Sequence, residues 1–234
     1  MTHIPIISFE EDKDAYYKSA HDIKGVANRI LSLVQIFMEE REGLNSQQNM
    51  YLDFLYKESS LAAKLTTDYM TIRKVRYLFK EVSKISWKDA IQPCVNKLKQ
   101  LSQERRVELH WYNLETTAQL NSKLMEQLAF ALVHNAILYS DVQKPQRWVN
   151  ITFNSNPVTI RVEDNGIGIP QGKILLAFSP FTRIHNDLGT DQSTGTGLAL
   201  VREIVYFYKG NIQVESVVQK GTTIEIQLHP DNQV

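Results

Sequence analysis

Asp164-Asn165-Gly166-Ile167-Gly168-Ile169-Pro170, followed downstream by Gly195-Thr196-Gly197-Leu198-Ala199-Leu200, decides how this chain of 234 residues is read. Asp164 closes an apolar run, residues 158–162, that reads as a strand, and Gly166 and Gly168 let the backbone turn tightly and approach a ligand. A carboxylate at a strand end accepts a hydrogen bond from an exocyclic amine, or it serves a plain polar turn. The second segment leads into the helical pattern Leu198, Val201, Ile204 and Val205. Its amides then point out of a helix N-terminus, which suits a polyphosphate or a structural cap. Upstream, in His134-Asn135-Ala136, Asn135 shares a helical turn with Leu128, Ala131 and Leu132. There its amide either finishes a helix end or reaches a metal held by phosphates. In this order, the three segments together describe a nucleotide pocket.

The surrounding pattern is α+β, with helices against one sheet. Ser86 with Asp89 opens a helix over residues 86–104, and Asn121 or Ser122 caps another running to Tyr139. Residues 107–112, 148–153 and 158–162 read as strands, as do 212–218 and 222–228 around the Lys220-Gly221 turn. Residues 171–194 have neither period nor propensity and are expected to form a mobile loop in a functional position. The expected catalytic domain is residues 85–234.

Residues 1–84 have a different texture. Tyr16, Ala20, Ile23, Ala27, Ile30, Val34 and Phe37 alternate steps of four and three, a heptad seam. A polar stretch with Gly43 and Asn45 precedes a second apolar spacing from Tyr51 to Phe79, so a helical hairpin is expected. One hairpin covers such a stripe poorly, and a second copy would complete a four-helix bundle, which predicts a homodimer. Within the first helix lies His21-Asp22-Ile23-Lys24. An unprotonated imidazole nitrogen can attack phosphorus, and an adjacent carboxylate can fix its tautomer and stabilise the cation that forms. Solvated surface charge is the alternative reading of Asp22 and Lys24. His3, His110, His185 and His229 are read as solvated.

Composition excludes several classes. Lysine plus arginine and aspartate plus glutamate each number 26, so no global field favours nucleic acid or a charged membrane. No apolar run approaches a bilayer span, and Cys94 as the only cysteine excludes intrachain disulfides. A cytoplasmic protein is expected.

With these motifs in this order, the chain resembles the ATP-binding domain shared by sensor histidine kinases, DNA gyrase, mismatch-repair ATPases and related chaperones. The likeness is strongest to the histidine kinases over roughly residues 10–229, because Phe178-Ser179-Pro180-Phe181-Thr182-Arg183 resembles their phenylalanine box and His21-Asp22-Ile23-Lys24 their H-box. The resemblance implies ATP and Mg²⁺ as cofactors, with Asn135 as metal ligand and Asp164 on the adenine amine. Thr222 would support that adenine contact, Gly195 and Gly197 would give the phosphates room, and Arg183 is the candidate for the γ-phosphate. It further implies transfer of the γ-phosphoryl group to His21, assisted by Asp22, and onward to an aspartate of a response regulator receiver domain. The segment 82–86 is the expected hinge for the nucleotide domain.

Gly25, Val26, Ala131, Leu138 and Ala199 depart from the family pattern. They keep open an ATP-independent dimeric phosphotransfer or scaffold protein. Against that reading, Gly166, Gly168, Gly195 and Gly197 would have no stability reason to persist in a domain freed from nucleotide binding.

Overall fold

A computed structural model describes residues 1–5, 13–78, 81–185 and 194–230; for residues 13–22, 73, 74 and 76–78 the description is of the backbone alone. Helices α1 (Lys13–Glu39) and α2 (Ser46–Leu78) pack on one another across a turn at residues 40–45, as the two apolar spacings predict. α2 starts where it does because Asn45 and Gln48 form a reciprocal cap. Asn45 Oδ1 accepts from Gln48 N at 2.9 Å, and Gln48 Oε1 accepts from Asn45 N at 2.9 Å. Two otherwise orphaned amides are thereby satisfied. Only part of the heptad seam is covered by this pairing. Ala27 and Val34 are buried, whereas Ile23, Ile30 and Phe37 remain exposed, as do Met50, Tyr51, Phe54 and Leu55 on α2.

The rest of the chain is a sheet with helices packed against it. Its elements are β1 (Thr2–His3), β2 (Ser83–Ser86), α3 (Trp87–Arg105), β3 (Val107–Tyr112), β4 (Thr117–Leu120), α4 (Ser122–Leu138), β5 (Arg147–Ser155), β6 (Val158–Asp164), α5 (Ile174–Ala177), α6 (Gly197–Phe207), β7 (Asn211–Val217) and β8 (Gly221–Leu228). Six strands form one mixed sheet in the order β1-β7-β8-β6-β5-β3, parallel only between β3 and β5. α3, α4 and α6 lie against it. Alternation places Val149, Ile151 and Phe153 of β5, Val158, Ile160 and Val162 of β6, and Ile224, Ile226 and Leu228 of β8 in the core. Trp87 at the start of α3 is fully buried and stacks on Phe153 with centroids 4.7 Å apart. Such a pair contributes roughly 1.5–3 kcal/mol per ring from burial alone.

Both expected caps are present: Ser86 Oγ accepts from Asp89 N at 3.1 Å and Asn121 Oδ1 from Leu124 N at 3.0 Å. Three features differ from expectation. Residues 82–86 are not a free hinge, because β2 pairs antiparallel with β4 from Ser83 opposite Leu120 to Ser86 opposite Thr117. Residues 174–178 form a short helical turn that buries Ile174, Ala177 and Phe178, since these apolar side chains fill the gap beside the sheet. The rest of the expected mobile loop includes residues 186–193, which lie outside the described residues. Finally, β1 adds to the sheet edge, pairing Thr2 with Val214 and His3 with Gln213, and Ile4 enters the core.

Candidate functional site

Period-two alternation carries the buried face of β6 from Val158, Ile160 and Val162 to Asp164, directly opposite Thr222 of β8. A carboxylate thus ends a row of apolar side chains and is itself largely buried. Oδ1 accepts from Gly166 N at 2.7 Å and from Thr222 N at 3.3 Å. Oδ2 receives no hydrogen bond among the described residues. Burial pushes the carboxyl up to about 6, more than the two amides and the Lys144 ammonium pull it down. Lys144 Nζ reaches Asn165 O at 2.5 Å and Lys220 O at 3.4 Å, tying the turn after β6 to the turn before β8.

Asp164 and Thr222 form one end of a cavity of about 460 Å³, also lined by Asn135, Gly168, Gly195 and Gly197. The three sequence segments therefore converge on one space. Asn135 Oδ1 faces the first residue of α6, lying 3.8 Å from where a Cβ on Gly197 would stand. α6 points its N-terminus, with the amides of an 11-residue helix, at the same cavity. Dipole, carbonyl oxygen and glycine approach suit a polyphosphate with its metal. No cluster of three or more histidine, cysteine, aspartate or glutamate side chains that could hold a metal exists among the described residues, so an ion here would depend on Asn135 and the phosphates.

The glycines divide into two kinds. A Cβ on Gly166 would sit 2.4 Å from Tyr139 O, on Gly168 2.2 Å from Val217 O, and on Gly195 2.6 Å from Thr182 O. Gly168 and Gly195 also have φ of +72° and +67°. The fold itself requires these three, which corrects the expectation that only a ligand would retain them. Gly197 is different, for a Cβ there would make only ordinary van der Waals contacts, the nearest at 3.8 Å, and its want of a side chain serves the cavity.

Of the other expected site residues, Arg183 lies between the cavity-lining Thr182 and Ile184 without lining it. His21 and Asp22 belong to α1, and their side chains fall outside the described residues. Conversely, several lining residues were not foreseen. His185, read as solvated, lines the cavity with Nε2 3.1 Å from Gly168 O, because the turn after Phe178 folds back over the site. His134 also lines it; burial, helped by the Lys64 ammonium, holds its imidazole below the ordinary range.

The hairpin closes the remaining side. Lys64, Asp68, Thr71 and Ile72 of α2 line the cavity. Asp68 Oδ2 lies 2.5 Å from Thr194 Oγ1 and 3.0 Å from Thr196 Oγ1, and those hydroxyls lie 2.6 Å from each other. A carboxylate of the hairpin is thus seated on the two threonines that flank Gly195. Tyr69 packs on Phe181 alongside, with centroids 5.8 Å apart.

Comparison with known proteins agrees with this geometry. Residues 121–232 match the family model described as "Histidine kinase-, DNA gyrase B-, and HSP90-like ATPase". The chain is 25% identical over 224 residues to the signal transduction histidine-protein kinase ArlS of Staphylococcus haemolyticus (strain JCSC1435), covering 94% of this chain and 49% of that protein. It spans about half the length, or less, of the curated relatives it matches. The fold is shared with full-length ShkA, crystallised in complex with AMPPNP, at TM-score 0.69 and 14% identity over 93% of this chain and 46% of that one. It is shared also with the Acinetobacter baumannii histidine kinase AdeS, at TM-score 0.62 and 21% identity over 88% and 96%. The resemblance to sensor histidine kinases is therefore borne out. No helix among the described residues is long and apolar enough to cross a membrane.

Proposed function

From a chain whose residues 121–232 match the histidine kinase-, DNA gyrase B- and HSP90-like ATPase family model, we propose an ATP-dependent histidine kinase core that phosphorylates its own His21. The convergence of Asp164, Asn135 and the α6 N-terminus on one cavity is the observation that carries this reading. Asp164 takes the adenine amine, with Thr222 beside it. The amides around Gly195 and Gly197 take the phosphates, and Asn135 takes Mg²⁺, which when bound neutralises phosphate charge. Arg183 approaches the γ-phosphate only if its loop moves, since it does not line the cavity.

In the transfer, an unprotonated imidazole nitrogen of His21 forms a bond to the γ-phosphorus, the bond to the β,γ-bridging oxygen breaks, and ADP leaves. Asp22 holds the ring proton on the other nitrogen and stabilises the phosphoimidazolium side of the reaction. Alignment supplies most of the catalysis. Counting away from the turn at 40–45, His21 on α1 stands level with Lys64 on α2, which lines the cavity. Acceptor and nucleotide therefore share one stretch of the hairpin. Passage of the phosphoryl group to a receiver-domain aspartate completes the proposed reaction, and the likeness to a signal transduction histidine-protein kinase supports it.

The hairpin, residues 1–84, pairs with that of a second copy through its exposed seam, and residues 85–234 form the catalytic domain. β2 straddles that boundary and β1 belongs to the sheet of the catalytic domain, so the helices α1 and α2 separate from that domain only with movement both after β1 and before Ser83. In the arrangement described, Asp68 occupies the threonines beside the phosphate site, and phosphates must displace it.

A scaffold protein that no longer uses ATP remains the second reading, because Gly166, Gly168 and Gly195 are required by the fold with or without a ligand. Calorimetric titration with Mg-ADP separates the two. The kinase reading expects binding by the wild type that is lost in Asn135→Ala and Asp164→Asn. The scaffold reading expects no heat from any of them.

A further inference from the structure

Behind Asp164 and Thr222, and outside the cavity lining, stands Ser216 of β7, whose hydroxyl makes three contacts. It accepts from Ile169 N at 2.7 Å, donates to Gly221 O at 3.1 Å, and lies 2.8 Å from Thr222 Oγ1. A serine hydroxyl has one proton and two lone pairs. The carbonyl of Gly221 only accepts, so it takes the serine proton. The Ile169 amide only donates, so it takes one lone pair. One lone pair remains for Thr222, and the contact between the hydroxyls then requires the threonine to donate. Only this arrangement makes all three bonds at once.

Thr222 Oγ1 has thereby used its proton and turns nothing but lone pairs to the cavity. Asp164, its partner across the β6–β8 ladder, has committed Oδ1 to two amides, leaving Oδ2 likewise an acceptor. Two neighbouring acceptors with no donor read a group carrying two hydrogens, and they oppose a carbonyl in the same place. We propose that Ser216 is a specificity-determining residue. By orienting the Thr222 proton away from the site, it makes the base end of the cavity select 6-aminopurine nucleotides over 6-oxopurine nucleotides. The selection operates directly or through a water held by Thr222. This inference rests on the nucleotide reading of the cavity. With Ser216 shortened, the threonine hydroxyl is free to rotate and donate, and a 6-oxo group gains a partner.

The test compares dissociation constants of Mg-ADP and Mg-inosine diphosphate for the wild type, Ser216→Ala, Ser216→Thr and Thr222→Val, each checked by thermal melting. The wild type should favour ADP by at least about 100-fold, and Ser216→Ala should lose about tenfold of that ratio, chiefly by binding the inosine nucleotide better. Ser216→Thr keeps the hydroxyl and should keep the ratio. Thr222→Val, an isostere without the hydroxyl, should narrow it, and it answers the question should Ser216→Ala not fold. An unchanged ratio in whichever of Ser216→Ala and Thr222→Val folds overturns the proposal. So does a wild type that binds both nucleotides equally, which would leave the nucleotide reading intact. Binding of neither by the wild type overturns both.

Discussion

Replacing Asp68 by alanine should raise affinity for Mg-ATP, because the carboxylate competes with phosphate for the loop around Gly195. Its two close contacts, with Thr194 and Thr196, and the contact between those hydroxyls share two hydroxyl protons, so one or two charge-assisted bonds reach the carboxylate at a time. Bonds to a charged group are worth about 1.5–3 kcal/mol each. Asp68 is only partly buried, and water replaces much of what is lost, so the net value is about 1–2 kcal/mol. If closure of α2 over the cavity is held chiefly by this clasp, the binding-competent fraction rises by the same energy, and apparent affinity by about 5- to 30-fold. The assay is equilibrium binding of a non-hydrolysable Mg-ATP analogue to the wild type, Asp68→Ala and Asp68→Asn, with the gain in the amide variant smaller than in the alanine variant. Equal or weaker binding by Asp68→Ala would refute the reasoning. It would mean that the carboxylate shapes the loop for nucleotide rather than barring it.

Three further expectations concern the pocket and the hairpin. Asp164→Asn should abolish nucleotide binding yet stabilise the apo protein at neutral pH by up to about 3 kcal/mol, since the carboxyl rises from 3.8 to about 6 on folding. A raised carboxyl favours the fold below its unfolded value and loses that contribution as pH rises through the folded one. The stability difference between variant and wild type in urea titrations should therefore grow between about pH 4 and 6, and nucleotide affinity of the wild type should fall below about pH 6. Gly197→Ala should melt no lower than the wild type but bind nucleotide more weakly, whereas Gly195→Ala should lose more than about 1 kcal/mol of stability, as melting and binding curves will report. Ile30→Glu with Phe54→Glu, both on the exposed seam, should convert a dimer into monomers by sedimentation velocity, with an unchanged helix signal.

What sequence made legible here was local. Ser86 and Asn121 cap the helices they were expected to cap, because a side-chain oxygen three residues from a free amide is short-range chemistry. Strand β3 was readable to the residue from its alternation. Asp164, Asn135, Gly195 and Gly197 carried separate signals, each with a bland alternative, Thr222 came only from the resemblance, and the antiparallel register of β6 with β8 is what joins Asp164 and Thr222 into one subsite. Long-range pairing was not legible. β2 and β4 are four residues each, too short for a periodic signal, and they gain stability only from each other. The same holds for β1, which is a strand only because β7 offers an edge. Asp68 and Lys64 carry no signal of their own in the sequence, since periodicity says which side of a helix is apolar and nothing about what folds against the other. His185 was not legible as a lining residue, because the turn that carries it over the cavity is placed by the buried Phe178, a packing contact that local sequence does not show.

The most direct measurement is incubation of the protein with γ-labelled ATP and Mg²⁺ beside His21→Ala and Asn135→Ala, followed by acid and alkali treatment of the labelled chain. Acid-labile, alkali-stable label on the wild type and none on either variant is the expected result. Label that survives acid, or label undiminished in His21→Ala, would contradict phosphoryl transfer from this cavity to the hairpin histidine.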